Sequence, residues 1–140
     1  MRIIAEDLVG LAEALEARAL TSAALVERAI RRYAETEPQI HAFVWLDAAR
    51  AQRLAAASDE RRRSGGAVGP LEGIPIGVKD IFDTAGIPTE NGSALFAGRV
   101  PDVTCPAVNA AEAAGAIVLG KTVTAASLDE RGASCGPTGA

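Results

Sequence analysis

Leu71-Glu72-Gly73-Ile74-Pro75-Ile76-Gly77-Val78-Lys79-Asp80 is the stretch on which the fold turns, read together with Ala113-Ala114-Gly115-Ala116-Ile117-Val118-Leu119-Gly120-Lys121-Thr122 further along. Ile74 to Val78 is a short β-branched run set between glycines and a proline, which predicts a buried strand. Ala116 to Leu119 predicts a second one. Between them, Ala107 to Ala114 has helical composition and is closed by Gly115, a residue suited to the end of a helix. Strand, helix and strand with short connections make a βαβ unit, hence a largely parallel α/β sheet. Asp80 to Gly86 reads as a turn or loop leaving the end of the first strand.

Upstream the texture is different. Leu8, Leu11 and Leu15 recur at three- and four-residue spacing and predict an apolar stripe on a first helix. Thr21 or Ser22 can cap a second helix with Leu25, Val26, Ala29, Ile30 and Tyr33 on its inner face. Pro38 is expected to close it, because the residue before a proline avoids the helical region. An apolar run from His41 to Leu46 follows, with Phe43 and Trp45 read as core residues. A third helix is expected from about Asp47 to Arg63, with Arg61-Arg62-Arg63 as its solvated end. The domain plan is therefore helical over 1–63, linker over 64–70, α/β over 71–124 and irregular over 125–140.

Composition narrows the function classes. The chain has 140 residues, 49% of them apolar, 23% charged, and a formal net charge of −4. A chain of this size can bury one core, and its balance is that of a globular protein. No basic face is present, so no direct nucleic-acid partner is expected. No apolar run reaches the roughly 20 residues of a membrane span, and Glu6 and Asp7 interrupt any leader-like stretch, so a cytoplasmic location is expected. Cys105 and Cys135 are too few for a disulfide scaffold and lack metal-ligand spacing.

The basic residues carry a sharper signal. Lysine occurs only at Lys79 and Lys121, the remaining basic residues being arginine. Only lysine can give up its proton near neutral pH. Lys79 ends the first predicted strand, and ligands of open α/β sheets bind beyond the carboxyl ends of strands. Flanked by Ile76, Val78, Ile81 and Phe82, it is expected to be largely buried and able to serve as a general base. The alternative is a structural role, with Lys79 paired to Asp80 or Asp83. Lys121 precedes Thr122 but has no Gly-rich phosphate loop before it, which argues against a phosphate-binding role. Cys135 and His41 give no nucleophile–base pair, and Ser93 after Gly92 is a secondary candidate for lining a site.

The block Leu71 to Asp80, followed by Gly86, Thr89 and Gly92-Ser93, resembles the amidase signature family. Ala113 to Thr122 resembles that family's next block, and Leu20-Thr21-Ser22 with Leu25-Val26 and Ile30 resembles its opening helices. The resemblance covers roughly Ala5 to Thr124. It implies amide hydrolysis by a Ser–cis-Ser–Lys triad in which Lys79 holds the position of the base. It also implies an N-terminal portion of an α/β fold, a mixed sheet flanked by helices, acting on a small-molecule carboxylic amide with no metal and no organic cofactor, and an architectural role for Lys121. The family's Gly/Ser-rich loop, which carries both serines, does not follow the second block. Instead the chain runs Thr122-Val123-Thr124-Ala125-Ala126-Ser127, and neither Ser127, Ser134 nor Ser93 sits in such a loop. Gly136-Pro137-Thr138 is a short further likeness.

Three functions follow as expectations. The first is an amidase-type hydrolase of which this chain is the N-terminal part. The second is a transamidating subunit that supplies ammonia to a charged tRNA, and the third a non-catalytic binding remnant. The chain alone is expected to be inactive, marginally stable and prone to self-association.

Overall fold

The fold is laid out around three strands. A computed structural model describes residues 7–124. The tail Ala125–Ala140, with Ser127, Ser134 and Cys135, lies outside the described residues. In chain order the elements are α1 (Leu8–Glu16), α2 (Ser22–Ile40), β1 (Phe43–Leu46), α3 (Ala48–Arg63), β2 (Pro75–Lys79), a 3-10 turn at Ala94–Phe96, α4 (Pro106–Ala113) and β3 (Ile117–Thr122). The sheet order is β1-β3-β2, with β2 parallel and β1 antiparallel to β3. The sheet is mixed and the βαβ unit is β2–α4–β3.

β3 lies in the centre, and its residues Ile117 to Lys121 are all buried. One face of the sheet is covered where Ile117 and Leu119 pack on Val26 of α2 and on Ala51 and Ala55 of α3. The alanines keep α3 close, since they bring no bulk to the contact. The opposite face gathers Val78, Val118, Ile87 and Val108 of α4, with Trp45 against them. Covering on both faces is what a parallel pair of apolar strands demands. A third cluster, Leu15, Leu25 and Ile74, ties α1 and α2 to the start of β2.

The helix signals resolve into particular caps. The Thr21 hydroxyl accepts from the Ala24 N–H, and Asp7 and Asp47 cap α1 and α3 the same way. The Asp59 carboxylate of α3 accepts from the Ser22 and Ala23 N–H groups at 2.7 and 3.0 Å, so one helix satisfies the free donors of another.

Several expectations are corrected. α2 does not stop at Pro38 but runs to Ile40, where His41 ends it in the left-handed conformation with φ 51°. In the last turn a proline forfeits only one helical hydrogen bond, and the His41 N–H still reaches the Glu37 carbonyl at 2.9 Å. His41 is thus a helix cap, and of the apolar run only Phe43–Leu46 forms the strand β1. Leu8 of the expected buried stripe is exposed, because only Leu11 and Leu15 reach the cluster beneath α1. The end of α3 is not simply solvated. Arg61 grips the buried Glu72 carboxylate through two nitrogens, at 3.1 and 2.5 Å, and Arg62 donates to the Glu72 carbonyl at 2.9 Å. This end of the helix is thereby fixed to the segment leading into β2.

Candidate functional site

Lys79 closes β2 and Lys121 lies one strand away on β3, where Val78 is the register partner of Lys121 and Lys79 that of Thr122. The two lysines of the chain thus share one end of the parallel pair. Their surroundings differ completely.

Lys121 is fully withdrawn from solvent. Its ammonium donates to the Thr89 hydroxyl at 2.6 Å and to the Phe82 carbonyl at 3.0 Å, and it lies 3.3 Å from the Asp80 carboxylate. Asp80 is buried too. Its other carboxylate oxygen accepts from the Glu90 N–H at 3.1 Å, and its backbone carbonyl accepts from the Asn91 N–H at 3.0 Å. Burial pushes the Lys121 pKa down, against the opposing pull of Asp80 and, more remotely, Asp83. Lys121 therefore acts as a three-way tie that folds the loop after β2 back against the sheet. Its architectural role, read from the sequence, is what the geometry displays.

A second tie closes the same loop. Arg99 holds both oxygens of Asp83 at 2.6 Å and donates to the Thr89 carbonyl at 3.2 Å. The guanidinium keeps the Asp83 carboxyl below the usual aspartate range. Thr89 N–H and Gly86 N–H donate to the Arg99 and Pro101 carbonyls, and Cys105 N–H donates to the Asp83 carbonyl. Residues 80–105 are thus one folded-back segment at the carboxyl end of β2.

Lys79 stands apart from this network. It is exposed, where burial was expected; its carbonyl accepts from the Phe82 N–H at 3.0 Å, but its ammonium makes no hydrogen bond or ion pair with the described residues. The physical reason is position: β2 is an edge of the three-stranded sheet, and the neighbouring Asp80 turns inward to Lys121 while Lys79 turns out. The structural alternative, pairing with Asp80 or Asp83, is overturned as well, because those carboxylates are taken by Lys121 and Arg99.

The other candidates disperse. Ser93 caps the 3-10 turn, its hydroxyl accepting from the Leu95 N–H at 3.3 Å. Cys105 is a half-buried free thiol at the start of α4, and the exposed His41 lies at the far end of α2. Phe43 and Trp45 are only half-buried, Phe43 packing edge-on against Tyr33 with ring centroids 5.4 Å apart. Among the described residues no group of three or more His, Cys, Asp and Glu could hold a metal ion, and no helix is long and apolar enough to cross a membrane. Sequence reading missed the Asp80–Lys121–Thr89 tie. Its one trace there was an aspartate directly after one strand and a lysine near the end of the other.

Comparison with known proteins adds to this geometry. A glutamyl-tRNA(Gln) amidotransferase subunit of Chloroflexus aggregans is 45% identical over 108 residues, which are 77% of this chain and 22% of that protein. The protein of the same name from Acidothermus cellulolyticus is 36% identical over 120 residues, 86% of this chain and 24% of its own length. Among solved structures, the peptide amidase of Stenotrophomonas maltophilia superposes with a TM-score of 0.77 at 35% identity, over 85% of this chain and 25% of that one. The chain thus spans about a quarter of the length of the relatives it matches. Since the two amidotransferase proteins carry tRNA in their names, the expectation of no nucleic-acid partner draws no support from them. The match to the family described as Amidase runs over residues 24–138, most of the chain, and with the shared fold it shows that this protein belongs to the amidase family.

Proposed function

We propose that this chain supplies the general base, Lys79, of a site that hydrolyses carboxylic amides. One observation carries the reading: of the two lysines, Lys121 is buried and committed to three partners, while the Lys79 side chain stands unpartnered at the carboxyl end of β2. A base must be able to reach the group it deprotonates; Lys121 is held by its three partners, whereas the Lys79 side chain has none among the described residues. In the mechanism the family resemblance implies, the lysine acts through a relay serine on a nucleophilic serine. The nucleophile attacks the amide carbon, the amine departs with a proton, and water then releases the acid. In that mechanism both serines belong to a Gly/Ser-rich loop, and Lys79 holds the position of the base. A small amide is the proposed substrate, and the cytoplasm the proposed location.

A second reading is favoured by the relatives' names: the amide hydrolysed would be glutamine, and the ammonia would pass to a tRNA-bound acyl group in a larger assembly. Both readings use Lys79 identically.

The test is a chimera in which residues 24–124 replace the matching segment of the S. maltophilia peptide amidase. The chimera is expected to release ammonia from a peptide amide, and Lys79→Ala to lower the rate by roughly 100- to 10,000-fold, the usual worth of a positioned base. Undiminished turnover in a folded Lys79→Ala chimera removes Lys79 from the chemistry.

A further inference from the structure

The side chain of Lys79 is free, but its main chain is not. The Lys79–Asp80 peptide is held at both polar atoms. The Lys79 carbonyl accepts from the Phe82 N–H at 3.0 Å, and the Asp80 N–H donates to the Thr122 carbonyl at 2.9 Å. Phe82 is held in turn, since its own carbonyl accepts from the Lys121 ammonium at 3.0 Å. Lys121 and Thr122 are consecutive residues of β3, so both grips on that peptide come from one point of the central strand. Asp80 closes the ring. Its carboxylate lies 3.3 Å from the Lys121 ammonium and accepts from the Glu90 N–H at 3.1 Å, and its carbonyl accepts from the Asn91 N–H at 3.0 Å.

The Arg99 side chain braces the same segment through Asp83 and the Thr89 carbonyl, with no bond to the Lys79–Asp80 peptide. What the Lys121 ring adds is a fixed peptide plane at the residue that carries the proposed base. The rotamers open to a side chain depend on the backbone torsions beneath it. A misplacement of about 1 Å at a reacting centre can cost on the order of 100-fold in rate. We infer that Lys121 and Asp80 are positioning residues for the reaction: the buried pair clamps the Lys79–Asp80 peptide and so sets the direction in which the Lys79 side chain leaves β2. Both act through Lys79 and not on the amide. The inference rests on the reading of Lys79 as the base, and it gives the pair a part in turnover besides its part in stability.

The test measures kcat and KM for a peptide amide in the peptide amidase chimera, per folded enzyme as judged by a circular-dichroism melt. Lys121→Met alone orphans a buried carboxylate, so Lys121→Met/Asp80→Asn is the variant that opens the ring without leaving an unpaired charge. In that double variant kcat should fall roughly 10- to 100-fold while KM stays within about twofold. Arg99→Leu loosens the same segment but leaves the ring intact, and should keep kcat within about twofold of the parent. Added to Lys79→Ala, the double variant should lower the residual rate no further, because changes that act through one group are not additive. A folded double variant with unchanged kcat overturns the inference. So does an equal loss of kcat in Arg99→Leu, or a loss that persists in full on top of Lys79→Ala. Turnover undiminished by Lys79→Ala alone overturns the reading of Lys79 as the base, and the inference with it. That single variant tells this failure from the others.

Discussion

Lys121 and Asp80 illustrate how a charged side chain can be spent on architecture. Both are withdrawn from water, and each balances the other's desolvation while hydrogen bonds from and to Thr89, Phe82 and Glu90 satisfy the rest. Truncating one partner leaves an uncompensated buried charge. Lys121→Met should therefore destabilise the chain by about 3–5 kcal/mol in urea unfolding. Adding Asp80→Asn should recover part of that loss, since the orphaned carboxylate charge is removed. A Lys121→Met variant as stable as the parent, or one that Asp80→Asn makes worse by the full sum of the single effects, contradicts the tie. Lys79 has no such commitments. The same residue type is thus structural at one position and available for chemistry at the next strand, and neighbours alone make the difference.

At the scale of elements, the close pairing of β1 with β3 depends on a glycine. Gly120 faces Leu46 in the register, and a Cβ built there would fall on the Trp45 carbonyl oxygen and lie 2.9 Å from the Phe43 ring. Backbone cannot yield as a side-chain tip can. Gly120→Ala should push β1 away from β3 and cost roughly 1–3 kcal/mol, the range for forced overpacking. Hydrogen exchange at the Val123 amide, which donates to the Ala42 carbonyl beside this pairing, should accelerate along with the loss. Unchanged exchange and stability would show that β1 is held by something other than this approach. Gly115, with φ 96°, serves a related purpose where α4 turns into β3, because a side chain there would meet the Glu72 backbone at 2.6 Å.

On the scale of the molecule, both faces of the sheet are covered, but the β2 edge and the segment beyond it are not. An apolar surface of that kind binds hydrophobic dyes and favours association. The isolated chain is expected to enhance the fluorescence of such a dye at neutral pH. Leu95→Asp/Val103→Asp should reduce that signal several-fold, in keeping with patch-driven binding, while leaving the unfolding midpoint nearly unchanged. Dye binding insensitive to both substitutions would place the sticky surface elsewhere.

The local pattern of the sequence determined most of the element order. The β2–α4–β3 unit, the Thr21 and Asp47 caps and the helical first half follow from periodicity and from residues that prefer helix ends, which are properties of neighbours along the chain. The family was likewise legible, because its blocks are contiguous. Lys79 could be singled out as a candidate for the same reason, standing at the end of a recognisable strand. Three features were settled only in three dimensions. The antiparallel addition of β1 to β3 joins segments far apart in sequence, and pairing of that kind leaves no local trace. The engagement of Arg61 and Arg62 with Glu72 turned a supposed solvated end into a fixed joint, because the partner arrives from beyond the linker. The opposite fates of Lys79 and Lys121 came last: both sit in apolar sequence, yet burial depends on which strand is central and which is an edge. Strand order is a property of the assembled sheet, and no window of residues contains it.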